Sequence, residues 1–463
     1  MLGIPYTIVT FFMLAAAFVT PFLGFCWFTV MTYLMPHIFS MFLFKIHVTR
    51  LLGIVTIGSI LLRKDLLREA RLFSSRQTRY LMAFYGVMWA SLLTSIWKSA
   101  SVAAAMDFIK ILMAFFMVLA LVNSVKRLRI TIRFMIFSAI FFAVTSIQAY
   151  YQSGGGGRMY TPFYGTAFTD PNDLAMCFVF MLPFLFMGLF RKANFFLKTF
   201  NLAVIALFLW GIVLTQSRGG LLGLCAMFFV LFLRSKKKVL LSVLIIMALI
   251  GGWRLAPQEY RDRMLSIKTA SQEDEAATSR LDAWKASVQM MTHRPFGVGA
   301  GNFGEGFVLY RPGGSTLHSG MRLVAHNMFL HIGGETGAPG MLLFLLFIGS
   351  GFSALTRVRK RMISVQTPEG HEISLLSDAL YISLFGFCAA GMFLSQAYNF
   401  ALYYLIAFSV VLERIAGEQE LQVKTQGRKD IKTQKSLKAG TGRESRRWKS
   451  RAVSGNLEKE NRS

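Results

Sequence analysis

His326 is the residue whose chemistry first stands out, because glycines follow it at helical spacing. Gly333, Gly337 and Gly340 lie on the helix face that begins at His326, so that face carries no side chain near the start of the helix. A histidine at the mouth of such a face suits proton removal from an incoming hydroxyl group, since its ordinary pKa is about 6.5. His326 is therefore a candidate general base. The alternative is a glycine packing face between helices, with the histidine at its water boundary.

Two polar neighbours of His326 receive different interpretations. Asn327 follows His326 directly and is assigned with it to the substrate-binding set. His331 lies one turn further into the helix, and we expect it to be a packed or hydrogen-bonded core histidine rather than a reacting group. The predicted catalytic end of this helix is therefore the pair at 326–327.

Arg218 lies in the turn T-Q-S-R-G-G between two apolar runs. A guanidinium group presents its donors as a fork that suits a phosphate or pyrophosphate, and the following glycines allow the backbone to approach a ligand closely. Arg218 is therefore a candidate substrate-binding residue. The alternative is a side chain that only extends to the membrane interface, but outward arginines between tight spans are unfavourable without a partner.

Arg280 precedes the stretch L-D-A-W, and Thr278 or Ser279 is a candidate cap for the helix that begins there. Arg280 would then lie in the first helical turn, where the helix dipole disfavours a cation. That conflict favours an anion held jointly by the helix N-terminus and Arg280. The alternative is an ion pair between Arg280 and one of the preceding carboxylates, Glu273, Asp274 or Glu275.

A glycine-rich loop at roughly 152–171 contributes weaker candidates. Four consecutive glycines precede Arg158 and Tyr160, and Asp170, Asn172 and Asp173 follow. We predict that Arg158 adds to phosphate binding and that Tyr160 stacks on a sugar. A loop without a binding role is the simpler alternative.

Motifs that hold metals or nucleotides are missing from the sequence. It has no H-E-x-x-H, no Walker loop, no G-x-S-x-G and no D-x-D pair on an outer loop. The four cysteines form no C-x-x-C pair and lie inside apolar runs. We therefore predict neither a metal nor a cofactor, so that arginines supply the positive charge at the site.

The composition is that of a membrane protein, so these candidate residues lie on helices and loops of a membrane domain. Of 463 residues, 54% are hydrophobic and 16% are charged, against about 25% charged in soluble chains. The net charge of +27 would suggest nucleic-acid binding, but the basic residues form short clusters between apolar runs and in the C-terminal tail. That distribution marks the cytoplasmic face of a membrane protein, so we predict membrane lipids and not nucleic acid as partners.

Apolar runs predict an all-α, polytopic membrane protein of about twelve or thirteen transmembrane helices. The uncertainty lies in the first 62 residues, where Pro21 and Pro36 either break two helices or kink one. Neighbouring basic clusters are separated by two spans each, so all of them can face the cytoplasm together. The runs begin near residues 3, 22, 46, 80, 106, 132, 172, 199, 219, 239, 327, 376 and 398.

This topology divides the chain into a membrane domain at 1–415 and a basic, disordered cytoplasmic tail at 416–463. The glycine-rich loop, the turn at 217–219 and the long segment at 254–325 then share the outer face. Residues 279–291 have a helical period, with Leu281, Trp284, Val288 and Met291 on one side, which predicts a small helical periplasmic subdomain.

Taken together, these motifs resemble the bacterial O-antigen ligase and O-antigen polymerase superfamily. The resemblance covers about residues 20–400 and not the basic tail. Two further stretches, at 21–37 and 166–181, resemble a subgroup, the exosortase-associated O-glycosylation ligases. The matching motifs are H-N-x9-G-x-x-G at 326–340, S-R-G at 217–219, Arg280 before A-W, and R-P-F-G-V-G-A-G-N-F at 294–303.

The resemblance implies a glycosyltransferase of the inner membrane that uses a glycan on undecaprenyl pyrophosphate. It implies that Arg218 and Arg280 bind the pyrophosphate and that His326 activates an acceptor hydroxyl without a metal, on the periplasmic side. The acceptor is a lipid, a glycan or a protein, as in lipopolysaccharide or exopolysaccharide synthesis. A polymerase of the same superfamily is the nearest alternative, and a polysaccharide flippase or transporter is the alternative of another class.

Overall fold

A computed structural model describes residues 3–35, 39–163, 168–191, 194–235, 238–239, 250–254, 258, 260–261, 275–313, 321–365 and 367–426. Within these ranges the regular structure is helical, without a strand, which confirms the all-α prediction. The first ten helices are α1 (Gly3–Val19), α2 (Pro21–Tyr33), α3 (Met41–Lys45), α4 (Val48–Leu61), α5 (Lys64–Ala70), α6 (Arg76–Ala90), α7 (Lys98–Leu121), α8 (Val125–Gln152), α9 (Pro171–Phe190) and α10 (Phe195–Thr215). The remainder are α11 (Arg218–Arg234), α12 (Glu275–His293), α13 (Phe303–Leu309), α14 (Met328–Ile363), α15 (Pro368–Gly391) and α16 (Phe400–Gln426).

Seven of the described helices are long and apolar enough to cross a membrane, namely α7, α8, α9, α10, α14, α15 and α16. They make the protein a multi-pass membrane protein. Helices α1, α2, α4, α6 and α11 also coincide with predicted spans, but they have only 13 to 17 residues, fewer than the roughly 20 needed to cross alone. The run near residue 239 lies largely outside the described residues. Pro21 breaks the first run into two helices, with Thr20 between them.

Two carboxylates gather the basic clusters at one end of the helix bundle, which we call the basic end. Glu372 pairs with Arg129 at 3.2 Å and with Arg191 at 3.4 Å. Asp378 pairs with Arg234 at 2.5 Å and with Arg359 at 3.2 Å. Each carboxylate therefore joins clusters from different loops. The shared end is what the alternation of charged and apolar segments predicted.

Helix α14 connects the basic end to the opposite end, which we call the site end. Its 36 residues span about 54 Å at 1.5 Å per residue, far more than a hydrocarbon core of about 30 Å. Counting 20 residues back from the cluster at 357–361 reaches Gly337. The first part of α14, from Met328 to Thr336, therefore extends beyond the apolar core and packs on α12.

Helix α14 is kinked at Gly337, whose backbone has φ 71° and ψ −175°. The glycine face predicted from spacing is not open. A side chain at Gly333 would meet Met291, and one at Gly337 would meet the carbonyl oxygen of Pro295 at 2.1 Å. The expectation of a bare face that admits a ligand is therefore wrong, and the alternative of a packing face holds.

A segment that we call the glycine ribbon, residues 294–302, packs against the kink and donates hydrogen bonds to it. Pro339 has no N–H, so the Glu335 carbonyl loses its helical partner; the N–H of Gly299 donates to it instead, at 2.9 Å. The N–H of Val298 donates to the Gly334 carbonyl, also at 2.9 Å. The ribbon therefore satisfies two buried carbonyl groups that the kink leaves without helical partners.

The side chain of Asn302 fixes the other edge of the ribbon. Its amide nitrogen lies 2.9 Å from Ser95 Oγ, 3.0 Å from Ser101 Oγ and 3.2 Å from the Trp97 carbonyl. Gly297, Gly299 and Gly301 all have positive φ, which a side chain would strain. The sequence signature at 294–303 is therefore a structural element that ties α14 to the connection between α6 and α7.

Helix α12 confirms the predicted helical period but corrects its beginning and its buried face. It starts at Glu275, so Thr278 and Ser279 are inside the helix and neither caps it. The large side chains Leu281 and Val288 are 52% and 48% exposed. The buried face is made of smaller or flexible residues, namely Asp282, Ala283, Ala286, Ser287 and Met290. Much of the remaining long segment, like residues 427–463 of the predicted tail, lies outside the described residues.

The helical part of the chain extends beyond residue 415, where the sequence analysis placed the start of the tail. Helix α16 continues to Gln426, and the Arg414 guanidinium donates to the backbone carbonyls of Ala70, Leu119 and Val122. These bonds join α16 to the C-terminal ends of α5 and α7 at the basic end. Residues 416–426 are therefore helical rather than part of a structureless tail.

Replacing Gly337 with Ala should destabilise the protein by about 2 kcal/mol or more. The added methyl group clashes with the Pro295 carbonyl, and the positive φ is unfavourable for any other residue. Gly349→Ala in the same helix is the matched control, because nothing lies within 4 Å of the added group. Thermal unfolding of the detergent-purified protein should show a lower midpoint for Gly337→Ala only. Equal midpoints for the two variants would contradict the proposed fit of ribbon and kink.

Candidate functional site

His326 lies just before α14, in a backbone conformation that side chains rarely adopt. Its φ is 46°, and its N–H donates to Ser395 Oγ at 2.8 Å. Ser395 belongs to the connection between α15 and α16, so two distant parts of the chain meet at this residue. The imidazole is half-buried. The strained backbone and the hydrogen bond together fix the direction in which the side chain leaves the loop.

Two charged groups act on the His326 imidazole. Burial lowers the pKa of His326 below its usual value, the Arg280 guanidinium lowers it further, and the Asp170 carboxylate opposes both by raising it. One of these charges comes from α12 and the other from the residue that precedes α9. A lowered pKa keeps the imidazole neutral at neutral pH, which is the form that accepts a proton.

Hydrogen bonds on both sides of His326 hold α12 in place. Trp284 Nε1 donates to the Ala325 carbonyl at 3.0 Å, and Ser287 Oγ donates to the Leu330 carbonyl at 2.5 Å. These bonds position Arg280, one turn before Trp284, next to the imidazole. Arg280 is the sixth residue of α12, so the prediction that it shares an anion with the helix N-terminus is wrong. Its partly buried side chain acts on His326 instead.

Asn327 has a structural role that the sequence did not indicate. Its Oδ1 accepts hydrogen bonds from the N–H groups of Phe329, at 3.0 Å, and Leu330, at 3.1 Å. This is the N-cap of α14. Asn327 therefore fixes the start of the helix that follows His326, and its role as a ligand for substrate stays a prediction.

Asn172, the second residue of α9, joins two further segments of the site end. Its Oδ1 accepts from Arg158 Nη2 at 2.9 Å and from Ser217 Oγ at 2.7 Å. Its own amide groups donate to Asp170 Oδ1, at 2.8 Å from the backbone and 2.7 Å from the side chain. The glycine-rich loop, the S-R-G turn and the start of α9 therefore meet at one amide.

Arg158 helps to fasten the glycine-rich loop to this turn. Its Nε donates to the Thr215 carbonyl at 3.1 Å, and Gln216 Nε2 donates to the Gly157 carbonyl at 2.7 Å. The loop is thus an ordered part of the site end up to residue 163. The bonds of the Arg158 guanidinium to the Thr215 carbonyl and to Asn172 Oδ1 orient its side chain. Its role in phosphate binding stays a prediction.

Arg218 is the first residue of α11, directly after the cap residue Ser217. The glycines that follow allow close helix packing: a side chain at Gly219 would lie 3.2 Å from Phe393, and one at Gly220 would lie 2.5 Å from Ala175. Arg218 therefore stands beside the connection that carries Phe393 and Ser395. The structure brings Arg158, Arg218, Arg280 and His326 to one end of the bundle through shared neighbours.

A buried polar network behind His326 was missed by the sequence reasoning. The Glu335 carboxylate accepts from Tyr398 OH at 2.7 Å and lies 3.1 Å from His331 Nε2; the N–H of Phe303 also donates to it, at 3.3 Å. His331 is therefore the hydrogen-bonded core histidine that we expected. The network joins α14 to the glycine ribbon and to the connection between α15 and α16.

The connection at 392–399 contributes most of the residues that were missed. Ser395 holds the His326 backbone, Gln396 contacts Asp173, and Tyr398 binds Glu335. One signal in the sequence was available, because S-Q-A-Y-N interrupts two apolar runs on the outer side. Among the described residues, no three His, Cys, Asp or Glu side chains are grouped to hold a metal ion.

These features define a multi-pass helical membrane protein with a histidine and several arginines at one end of its bundle. Residues 203–345 match the family described as O-antigen ligase. The match includes Arg218, Arg280, His326 and the glycine ribbon. The match confirms the predicted resemblance to the O-antigen ligase superfamily, while the closer likeness to exosortase-associated ligases stays a prediction. No curated protein matches the chain.

Replacing Asn172 with Ala should release the glycine-rich loop from the S-R-G turn. Three side-chain hydrogen bonds are lost. The two that join the loop and the turn, one of them from a charged donor, cost roughly 2 kcal/mol. Trypsin should then cleave faster after Arg158 in the detergent-purified protein. Asn194→Ala is the control, since Asn194 caps α10 at the basic end. An unchanged cleavage rate for Asn172→Ala would contradict the assigned role.

Proposed function

We propose that the protein is a glycosyltransferase that moves a glycan from undecaprenyl pyrophosphate to an acceptor hydroxyl group. The observation that carries the proposal is the position of His326, half-buried at the site end with the charges of Arg280 and Asp170 acting on its ring. A neutral histidine beside a fixed cation provides a base and an anion-binding group together. The O-antigen ligase match supports a transfer reaction of this class.

In the proposed reaction the acceptor oxygen attacks the sugar carbon bonded to the pyrophosphate. The hydroxyl proton passes to the His326 imidazole, a new glycosidic bond forms, and the bond between sugar and pyrophosphate breaks. Undecaprenyl pyrophosphate leaves with the electron pair. Arg280 and Arg218 stabilise the charge that develops on its oxygen atoms. In this mechanism guanidinium groups, rather than a metal ion, supply the positive charge.

The charge distribution supports a proposal for the membrane side on which the site lies. The basic end carries paired arginines from the clusters near residues 129, 191, 234 and 359, and clusters of this kind mark the cytoplasmic side. This distribution supports the proposal that the site end lies at the periplasmic face of the bacterial inner membrane. A polyprenyl donor would then lie with its chain among the helices and its pyrophosphate near Arg218.

The acceptor decides between a ligase and a polymerase. A ligase uses a lipid, a protein or another distinct acceptor, whereas a polymerase uses a second lipid-linked glycan. Incubating the purified protein with the lipid-linked repeat unit alone separates them, because only a polymerase lengthens the glycan. Movement of the lipid-linked glycan across vesicles without a new glycosidic bond would instead show a flippase and would overturn the proposal.

Replacing His326 with Ala should reduce glycan transfer by roughly a factor of 100 or more, because the general base is lost. The variant should still insert into the membrane, since the His326 backbone bond to Ser395 is retained. His371→Ala is the matched control, because His371 is an exposed histidine at the basic end. Transfer is measured with the lipid-linked donor and its acceptor in detergent. Transfer by His326→Ala at the rate of the control would exclude the mechanism.

The pH dependence of glycan transfer should change when either of the two charged groups that act on His326 is removed. Transfer should fall as the pH drops through the lowered pKa of His326, because the protonated ring cannot accept a proton. Arg280→Gln removes a charge that lowers this pKa, so the acidic limb of kcat/KM should move to higher pH. Asp170→Asn removes a charge that raises it, so the limb should move to lower pH. Shifts in the same direction, or none, would show that His326 is not the titrating base.

A further inference from the structure

An open groove runs along α6 on the lipid-facing side of the basic end. It consists of two adjoining cavities of about 310 Å³ and 560 Å³ that share Arg76 and Arg79. One cavity is polar and is completed by residues 74, 75 and 77 with Arg357 and Glu413. The other is bounded by Tyr80, Ala83 and Leu343. The groove therefore has a charged end and an apolar end.

The charged end has an excess of positive charge. Glu413 is its only carboxylate among the described lining residues, and Arg357 already holds it through two bonds, from Nε at 2.7 Å and from Nη2 at 3.1 Å. Arg76 and Arg79 are exposed, and the described part of the chain shows no carboxylate paired with either. Two adjacent guanidinium groups are thus directed to an anion such as a phosphate group.

The apolar end has room because α6 carries small residues there. One face of α6 carries residues at helical spacing, namely Arg76, Arg79 with Tyr80, and Ala83. A side chain added at Gly86 would meet nothing within 4 Å. The groove closes further along, where a side chain at Gly340 of α14 would lie 3.5 Å from Val87. From Arg76 to Val87 the helix rises about 16 Å, close to half of a hydrocarbon core of about 30 Å.

We propose that this groove binds an anionic phospholipid, with its phosphate between Arg76 and Arg79 and an acyl chain along Ala83 and Leu343. The length of the groove corresponds to one leaflet. Its charge lies at the end where other arginine clusters mark the membrane surface. A soluble phosphate compound would use only the charged end and would leave the apolar cavity empty.

The basic C-terminal segment is a poor occupant of the same groove. Residues 427–463 are rich in Lys and Arg, so their charge opposes entry between Arg76 and Arg79. The apolar cavity also requires an apolar partner about 16 Å long, which that polar segment does not provide. An anionic lipid satisfies both the charge and the length.

The test is native mass spectrometry of the full chain in detergent, titrated with phosphatidylglycerol and with phosphatidylcholine. We expect tighter binding of phosphatidylglycerol and a loss of roughly thirtyfold in Arg76→Gln/Arg79→Gln, since each of the two interfacial cations contributes a factor of roughly five to six. Lys64→Gln/Arg68→Gln removes the same charge from exposed positions outside the groove and should retain binding. Thermal unfolding without lipid checks that both double variants fold.

A second variant tests the apolar end without changing the charge. Ala83→Phe should fill the groove and weaken phosphatidylglycerol binding, whereas Ala103→Phe, on an exposed face of α7, should not. Equal binding of the two lipids, equal loss in the two double variants, or unchanged binding by Ala83→Phe would each overturn the proposal. Displacement of the lipid by inorganic phosphate alone would also overturn it, because it would show a simple anion site.

Discussion

Two backbone hydrogen bonds at the kink of α14 hold the site end together. Gly337 and Pro339 interrupt the helix, and the carbonyls of Gly334 and Glu335 accept from Val298 and Gly299 instead of from their own helix. Without these donors two buried carbonyl groups would be unpaired, at a cost of about 1–3 kcal/mol each. The kink and the glycine ribbon therefore require one another. Because the ribbon also binds the α6–α7 connection through Asn302, a change at the kink is transmitted to a large part of the outer surface.

The same kink places Glu335 where it can join three segments, and this links architecture to chemistry. Glu335 receives hydrogen bonds from Tyr398 and Phe303, and the connection that carries Tyr398 also carries Ser395, which holds the backbone of His326. The candidate base is thus positioned by elements that are far apart in the chain. The arginine that acts on it is positioned separately, by the bonds of α12 to residues 325 and 330. A site built in this way is rigid around the histidine without containing a continuous sequence motif.

Arginines serve different purposes at the two ends of the bundle. At the basic end Arg129, Arg191, Arg234 and Arg359 share two carboxylates, so half of their charge is balanced by these ion pairs. At the site end Arg280 lies beside a neutral histidine, and Arg158 and Arg218 lie around a hydrogen-bonded amide and a helix N-terminus. Two of these arginines therefore lie among hydrogen-bonded polar groups, and the third acts on the imidazole. The described part of the chain shows no carboxylate paired with the exposed Arg76 and Arg79 at the basic end, and this pair borders the groove.

The local sequence pattern by itself predicted several features of this protein. These are the helical class, the starting regions of most spans, the helix at 279–291, and the shared end of the basic clusters. Apolar length and charge spacing decide these features, and both are properties of short segments. Tertiary structure decided the rest. Contacts between distant residues decide where α12 begins, which of its faces is buried and what fills the glycine face of α14. They also decide the capping role of Asn327 and the positions of Ser395, Tyr398 and Glu335. Periodicity along one helix shows which residues share a face, but it does not show what that face will meet.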